Sequence, residues 1–316
     1  MENMGLKVLV TGATGFIGSN LVNRLLNDGY DVYVLVRPNS LSGMKRLELY
    51  KNIKILNIEV ERLLEIEELP KFDICFNLAS YGVDYRNQDP YEMIDGNIKF
   101  VINLIDFCSK NKTNLLVHTG SCFEYGINNN NIPLRENDQL RPHSLYAVSK
   151  VSGVIMANTY AKMKSVNLVT VRPFGVYGPN EGIHRLVPQV IDTILQNKKL
   201  DMTKGEQVRD YLFVDDLVDA YIKLSTSDKT KIYDIYNICS SEQISIRELV
   251  EELCRIYDYD ISNFNFGKIP YRENEVMYFV GDNTKIYNDI SWKPKTKLVD
   301  GLRTTYEWYQ SRMEDK

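Results

Sequence analysis

Cysteine is scarce and odd in number. The five residues Cys75, Cys108, Cys122, Cys239 and Cys254 include no C-x-x-C pair, a spacing that fits neither a disulfide framework nor a zinc cluster, so no metal site is expected. An excess of basic charge is lacking too: 38 Lys+Arg against 42 Asp+Glu leave a net charge of −4, which offers nothing to nucleic acid or an anionic membrane. Long apolar runs are missing; the charge-free helical stretch Val151–Ala161 falls well short of the ~20 residues that span a bilayer. The start, Met1–Gly5, carries Glu2 and leads straight into a strand-like run, without the pattern of a cleaved leader. A reducing, cytoplasmic setting with no membrane contact is the expectation.

What is present is ordinary globular composition, 44% hydrophobic and 25% charged, in 316 residues. At roughly 150 residues per domain that length predicts two lobes or one large α/β body. Short β-branched runs at Lys7–Thr11, Asp31–Val36, Ile53–Glu59, Asp73–Ala79, Leu115–Thr119 and Leu168–Val171 alternate with helical stretches at Phe16–Asn27, Tyr91–Asn111 and Tyr146–Met163. In the helices apolar residues recur at three- and four-residue steps, as in Ile98, Val101, Ile102 and Ile105. This alternation predicts a Rossmann-type, doubly wound parallel sheet covered on both faces, with ligands at the carboxyl ends of its strands. After Arg172-Pro173 the rhythm changes, predicting a smaller, interleaved C-terminal α/β substrate domain. The boundaries are 1–172 plus about 208–240 for the dinucleotide-binding domain, and about 173–207 plus 241–316 for the other. Asp210–Val214 and Tyr233–Ile238 read as strands that rejoin the main sheet. Asn128–Asn131 reads as a solvated loop tip.

The first strand ends in Val10-Thr-Gly-Ala-Thr-Gly-Phe-Ile-Gly18, so Gly12, Gly15 and Gly18 precede a helix whose free N–H groups attract a pyrophosphate. Where an NAD site carries an acidic residue, at the end of the second strand, this chain has Val36 and then Arg37. A guanidinium grips a 2′-phosphate and a missing carboxylate does not repel it, so NADP(H) is favoured, with NAD(H) the alternative. In Tyr146-Ala-Val-Ser-Lys150 the i,i+4 spacing puts phenol and ammonium on one helix face, where the charge would lower the phenol's pKa. Ser121, just beyond the fifth strand, can hydrogen-bond the substrate oxygen that Tyr146 protonates. His118, inside that strand, reads as packed.

Together these motifs resemble the extended short-chain dehydrogenase/reductase family, in its branch of nucleotide-sugar epimerases, dehydratases and ketoreductases. The likeness extends to Asp73-Ile-Cys-Phe-Asn-Leu-Ala-Ser80, Asn97, Arg172-Pro-Phe-Gly-Val-Tyr-Gly-Pro179, Arg209-Asp-Tyr-Leu-Phe-Val-Asp-Asp216 and Trp292-Lys-Pro294, nearly the whole chain. It implies Ser121, Tyr146 and Lys150 as the catalytic set. It implies cofactor contacts at Gly12, Thr14, Gly15, Phe16, Ile17, Gly18, Arg37, Leu78, Ala79, Ser80, Asn97, Tyr146, Lys150, Pro173 and Val176. Arg209 and Arg272 would clamp the substrate diphosphate, and Leu186 and Thr203 lie in segments that enclose the base. A homodimer through Tyr91–Asn111 and Tyr146–Met163 is the family-like expectation.

Dehydratases of this family carry an acid–base pair directly after the serine or threonine, where this chain has Cys122 and Phe123, so sugar dehydration is disfavoured. The reading that results is an NADPH-dependent 4-ketoreductase of a nucleotide-activated 4-keto-6-deoxyhexose. The alternatives are an NAD-dependent 4-epimerase and, more remotely, a non-catalytic NADP(H)-sensing protein. Family epimerases often have Asn where this chain has Gly175.

Overall fold

The computed structural model describes residues 5–314 except 39, 40, 48, 49, 85, 128–130 and 274; the start of the chain and most of the Asn128–Asn131 patch lie outside the described residues. From the amino end run β1 (Lys7–Thr11), α1 (Phe16–Asn27), β2 (Asp31–Val36), the short α2 (Leu41–Met44), β3 (Lys54–Asn57) and β4 (Ile74–Asn77). Next come α3 (Pro90–Ile94), a π-helical turn (Asp95–Lys99), α4 (Phe100–Asn111), β5 (Leu115–Thr119), α5 (Leu145–Met163) and β6 (Leu168–Pro173). The second half holds β7 (Gly175–Tyr177), α6 (Leu186–Leu195), β8 (Leu200–Met202), β9 (Val208–Arg209), β10 (Tyr211–Phe213), α7 (Val214–Thr226) and β11 (Ile235–Ile238). It ends with β12 (Ile244–Ser245), α8 (Ile246–Ile256), β13 (Phe264–Phe266), β14 (Tyr278–Phe279), α9 (Thr284–Ile290) and α10 (Leu298–Glu314).

Seven strands form one sheet in the order β11-β6-β5-β4-β1-β2-β3, every neighbouring pair parallel. Period-two alternation buries both faces: Val8, Val10, Val34, Phe76 and Val117 pack with α1, α7 and Trp292, while Leu9, Leu35, Cys75 and Leu116 pack with α4 and α5. The order reverses between β1 and β4, which opens the ligand crevice outside their carboxyl ends. A separate core joins Val187, Val190 and Ile191 of α6, Leu249 and Leu253 of α8, and Leu302 of α10, beside small sheets formed by β8–β13 and by β12–β9–β14.

Of the two late strands expected to rejoin the main sheet, only Ile235–Ile238 does so, against β6. Tyr211–Phe213 pairs instead with Gly175–Tyr177 in a two-stranded sheet of its own. The reason is local: Gly175 N–H donates to the Asp210 carbonyl at 3.1 Å, and Asp210 is held in turn by the N–H groups of Ser240, Ser241 and Gly281. The stretch expected as one helix over Tyr91–Asn111 is continuous but carries the π turn at 95–99.

Candidate active site

The glycine loop is built by backbone packed against backbone. Gly12 has φ +69°, and a Cβ there would stand 2.5 Å from the Leu78 carbonyl carbon, while one on Gly18 would stand 2.1 Å from Gly12 O. Below the loop Thr11 Oγ1 donates to Asn77 Oδ1 at 2.7 Å, tying β1 to β4. Gly15 is the N-cap of α1 and supplies no side-chain acceptor, so the first-turn N–H groups and the positive dipole end remain for an anion. The loop from Gly12 through Thr14, Gly15, Phe16 and Ile17 to Gly18 thus packs directly on Leu78 and Ala79, just before Ser80, and opens the α1 N-terminus in a form that fits a pyrophosphate. Val36 is buried and Arg37 exposed at the end of β2. A guanidinium the sequence reading left unassigned braces the loop: Arg46 donates to the Thr14 carbonyl at 2.9 Å and to the Asn180 carbonyl at 3.3 Å. Pro173 and Val176 sit at the end of β6 and in β7, and Asn20 of α1 donates to the nearby Pro179 carbonyl at 3.0 Å.

Ser121, Tyr146 and Lys150 converge beyond β5. Ser144 caps α5, its Oγ accepting from Ala147 N–H at 3.2 Å, and this sets Tyr146 in the first turn. Burial pushes the Tyr146 phenol up to about 12, against the lowering influence of the neighbouring Ser121 and Ser80 hydroxyls. The lowering expected from Lys150 does not appear. Lys150, buried one turn on, donates from Nζ to the Thr119 carbonyl at 2.7 Å, and burial drives it down to about 8 against the opposing charge of Glu124. The phenol therefore rests protonated at neutral pH. His118 is packed as expected, paired with Asn77 at 3.0 Å, and burial together with the charge of Lys150 keeps it neutral.

Asn97, expected among the cofactor contacts, spends its whole amide on the protein. Its Oδ1 accepts from Ser80 Oγ at 3.1 Å and Tyr81 N–H at 2.9 Å; its Nδ2 donates to the Tyr81 carbonyl at 3.0 Å and Ser149 Oγ at 2.9 Å. It acts as a clamp between the Ser80 loop and α5. The π turn makes this possible by bringing the Asn97 carbonyl so close that a Cβ on Gly153 would meet it at 2.3 Å.

Under Ser121 lies a buried ion pair that sequence reading missed. Ser121 N–H donates to Glu124 Oε1 at 2.6 Å, and Arg172 Nε of β6 donates to Glu124 Oε2 at 2.8 Å. Glu124 is 0% and Arg172 2% exposed. Arg172 Nη1 also reaches Tyr125 Oη at 3.0 Å, and Tyr125 donates to Asn237 of β11 at 2.6 Å. The carboxylate next to Ser121 is thus turned inward, away from the crevice, which leaves Cys122 and Phe123 to follow the serine. Burial and neighbouring carboxylates push the Cys122 thiol up, so it stays protonated.

Arg209 projects from β9 and donates from Nη2 to Glu275 Oε1 at 3.0 Å. Arg272 is exposed, and Glu275 N–H donates to its carbonyl at 3.1 Å, so Glu275 links the two arginines. Leu186 opens α6, and the Thr203 hydroxyl bonds the Gln207 side chain and Gly205 N–H within its own turn. At Gly175 a Cβ would stand 2.5 Å from the Asp210 carbonyl oxygen, so a larger side chain has no room here without a backbone shift.

The sequence model of the NAD dependent epimerase/dehydratase family matches residues 8–239. The chain belongs to that family. Among its relatives, CDP-abequose synthase from Salmonella typhimurium is 28% identical over 302 residues, covering 93% of this chain and 95% of that one. Among solved structures, UDP-glucose 4-epimerase from Thermotoga maritima superposes with a TM-score of 0.87 at 25% identity, covering 98% of this chain and 100% of that one. UDP-glucuronic acid 4-epimerase from Bacillus cereus, determined with UDP-glucuronic acid and NAD, has a TM-score of 0.83 at 26% identity, with 97% of this chain and 100% of that chain covered.

Of the residues expected from sequence, this family member brings together the glycine loop, Leu78–Ser80, Ser121, Tyr146 and Lys150 around one crevice. Arg46, Glu124 and Arg172 are the additions, and only Glu124 left a local trace, as the Ser121–Glu124 capping box.

Proposed function

We propose that this protein reduces the 4-keto group of a nucleotide-activated 4-keto-6-deoxyhexose, with NADPH as the reductant. The observation that carries this reading is a protonated phenol beside Ser121 whose neighbouring carboxylate, Glu124, is locked inward on Arg172, while Cys122 and Phe123 offer no proton shuttle. Ketone reduction begins from a proton donor, whereas oxidising an alcohol to start an epimerisation begins from a phenolate. Exposed Arg37 and the buried apolar Val36 support a 2′-phosphate on the cofactor. The glycine loop and Leu78–Ser80 would hold the dinucleotide, which when bound supplies the hydride. Ser121 Oγ polarises the ketone oxygen, Tyr146 Oη gives it a proton, and the Lys150 ammonium makes that transfer less costly by stabilising the phenolate left behind. Arg209 and Arg272 would hold the diphosphate as charge-assisted forks.

A 4-epimerase working on retained NAD is the second reading, favoured by the structural likeness to UDP-glucose 4-epimerase. The exposed apolar side chains of Leu145, Val148, Ile155, Met156 and Met163 on α5 support a homodimer through that helix. The deciding experiment incubates the enzyme with a panel of nucleotide-linked 4-keto-6-deoxysugars and deuterated NADPH. Consumption of NADPH with deuterium at C4 is expected, and Tyr146→Phe should lower kcat by ~10²–10⁴ with NADPH affinity unchanged. Stable NADPH with every ketosugar, together with interconversion of 4-epimers under catalytic NAD, would overturn the reading in favour of the epimerase.

A further inference from the structure

Phe123 is an anomaly for a residue two positions beyond a catalytic serine. Its side chain is 46% exposed, in a chain that buries most of its large apolar groups. It stands edge-on to the ring of Tyr146, centroids 6.2 Å apart at 76°, and stacks on Phe279 at 5.7 Å and 24°. Phe279 in turn packs on Phe174 at 5.8 Å and belongs to a small core with Cys122 and Leu134. A solvent-facing aromatic ring is thus braced from behind, next to the phenol that gives the proton. The Cys122 beside it is a neutral thiol, so a sugar with its O4 at Tyr146 meets an uncharged, largely aromatic wall on this side.

We propose that the Phe123–Phe279 wall selects sugars whose C6 is deoxygenated. The inference rests on reading the crevice as a nucleotide-sugar site. With O4 between Ser121 and Tyr146, C6 is the carbon carried outside the pyranose ring next to the C4–C5 bond, and it is the part of the sugar that meets a surface standing off the reacting centre. A methyl group there replaces water on an aromatic face. A hydroxymethyl group would lose hydrogen bonds with nothing returned, and a carboxylate would lose more.

Binding, not turnover, tests this. Free CDP, UDP, dTDP and GDP are titrated first, and the tightest base is then used for three probes linked to its diphosphate: 6-deoxyglucose, glucose and glucuronate. The wild-type protein should bind the 6-deoxy probe about 10–100-fold more tightly than the glucose probe, with glucuronate weaker still. Phe123→Thr should compress the first ratio to within about 3-fold, whereas Phe123→Leu should keep it. Affinity for the bare diphosphate should be the same in all three proteins, which confirms an intact site. Equal wild-type affinities, or a ratio that survives Phe123→Thr, overturns the proposal. Ketosugar reduction with no C6 preference removes this inference alone; C6 preference without reduction removes the reductase reading alone; no binding of any probe removes both.

Discussion

Replacing Glu124 by Gln tests whether the ion pair beneath Ser121 matters as a charge or as a shape. Glutamine keeps the volume and an oxygen that can accept from Ser121 N–H, but it turns an amide N–H₂ toward Arg172 Nε, so two donors meet where a 2.8 Å charge-assisted bond stood. Arg172 then keeps only Tyr125 Oη at 3.0 Å and the Glu136 carbonyl at 3.4 Å, neither of them charged. With both partners at 2% exposure or less, water cannot enter to compensate. Removing one member of such a pair costs about 3–5 kcal/mol. At ~2.1 cal/mol/K per residue, the unfolding entropy of 316 residues converts that to a fall in Tm of about 5–8 °C. Differential scanning calorimetry at pH 7.5 measures it. The double variant Glu124→Gln/Arg172→Met, which removes the stranded charge, should recover most of the loss. A single variant that melts within 1 °C of wild type, or a double variant that melts lower still, would refute the reasoning.

Gly18→Ala pushes a methyl group to 2.1 Å from Gly12 O, a contact no side-chain rotation relieves, and should cost about 1–3 kcal/mol of stability together with most dinucleotide affinity, read by calorimetry and cofactor titration. Arg37→Glu should weaken NADP(H) binding at least ~10-fold while leaving NAD(H) within about 3-fold, because only the 2′-phosphate meets the new charge; equal effects on both would count against a phosphate role. Lys150 sits at about 8, below its ordinary range, so its charge is present below that pH and lost above it. Turnover that depends on the ammonium should decline as pH rises through about 8, and a pH–rate profile flat to pH 10 would show that it does not. The same shift acts oppositely on stability: folding binds fewer protons at Lys150 between about 8 and its unfolded value near 10.5, so its contribution to stability rises with pH across that window.

Local pattern carried much of the site. Phe16–Asn27 is helical over the span its spacing predicts, because the glycines before it and the apolar stripe within it are properties of neighbouring residues. What escaped depends on partners far along the chain. Glu124 and Arg172 are 48 positions apart, and nothing near either residue tells that they meet. Tyr211–Phe213 has a strand's composition, but its partner was chosen by the Gly175–Asp210 contact, not by hydrophobicity. The Tyr146 pKa runs opposite to the direction the spacing predicts, because spacing places an ammonium one turn away without revealing how strongly burial opposes the phenolate. The π turn had a faint signature in Gly96, an unusual residue for a helix interior, where a Cβ would press on Tyr81 at 2.9 Å.

That wide turn makes the segment intolerant of changes in length. Losing one residue between Asp95 and Lys99 would yield an unbroken, unstrained spiral, pleasing to every local preference, yet swung by about 100° on one side of the cut. Either Val101, Leu104 and Cys108 would leave the interior, or Asn97 would let go of Ser80 and the start of α5 together. A substitution at exposed Lys99 can be absorbed there; a deletion cannot.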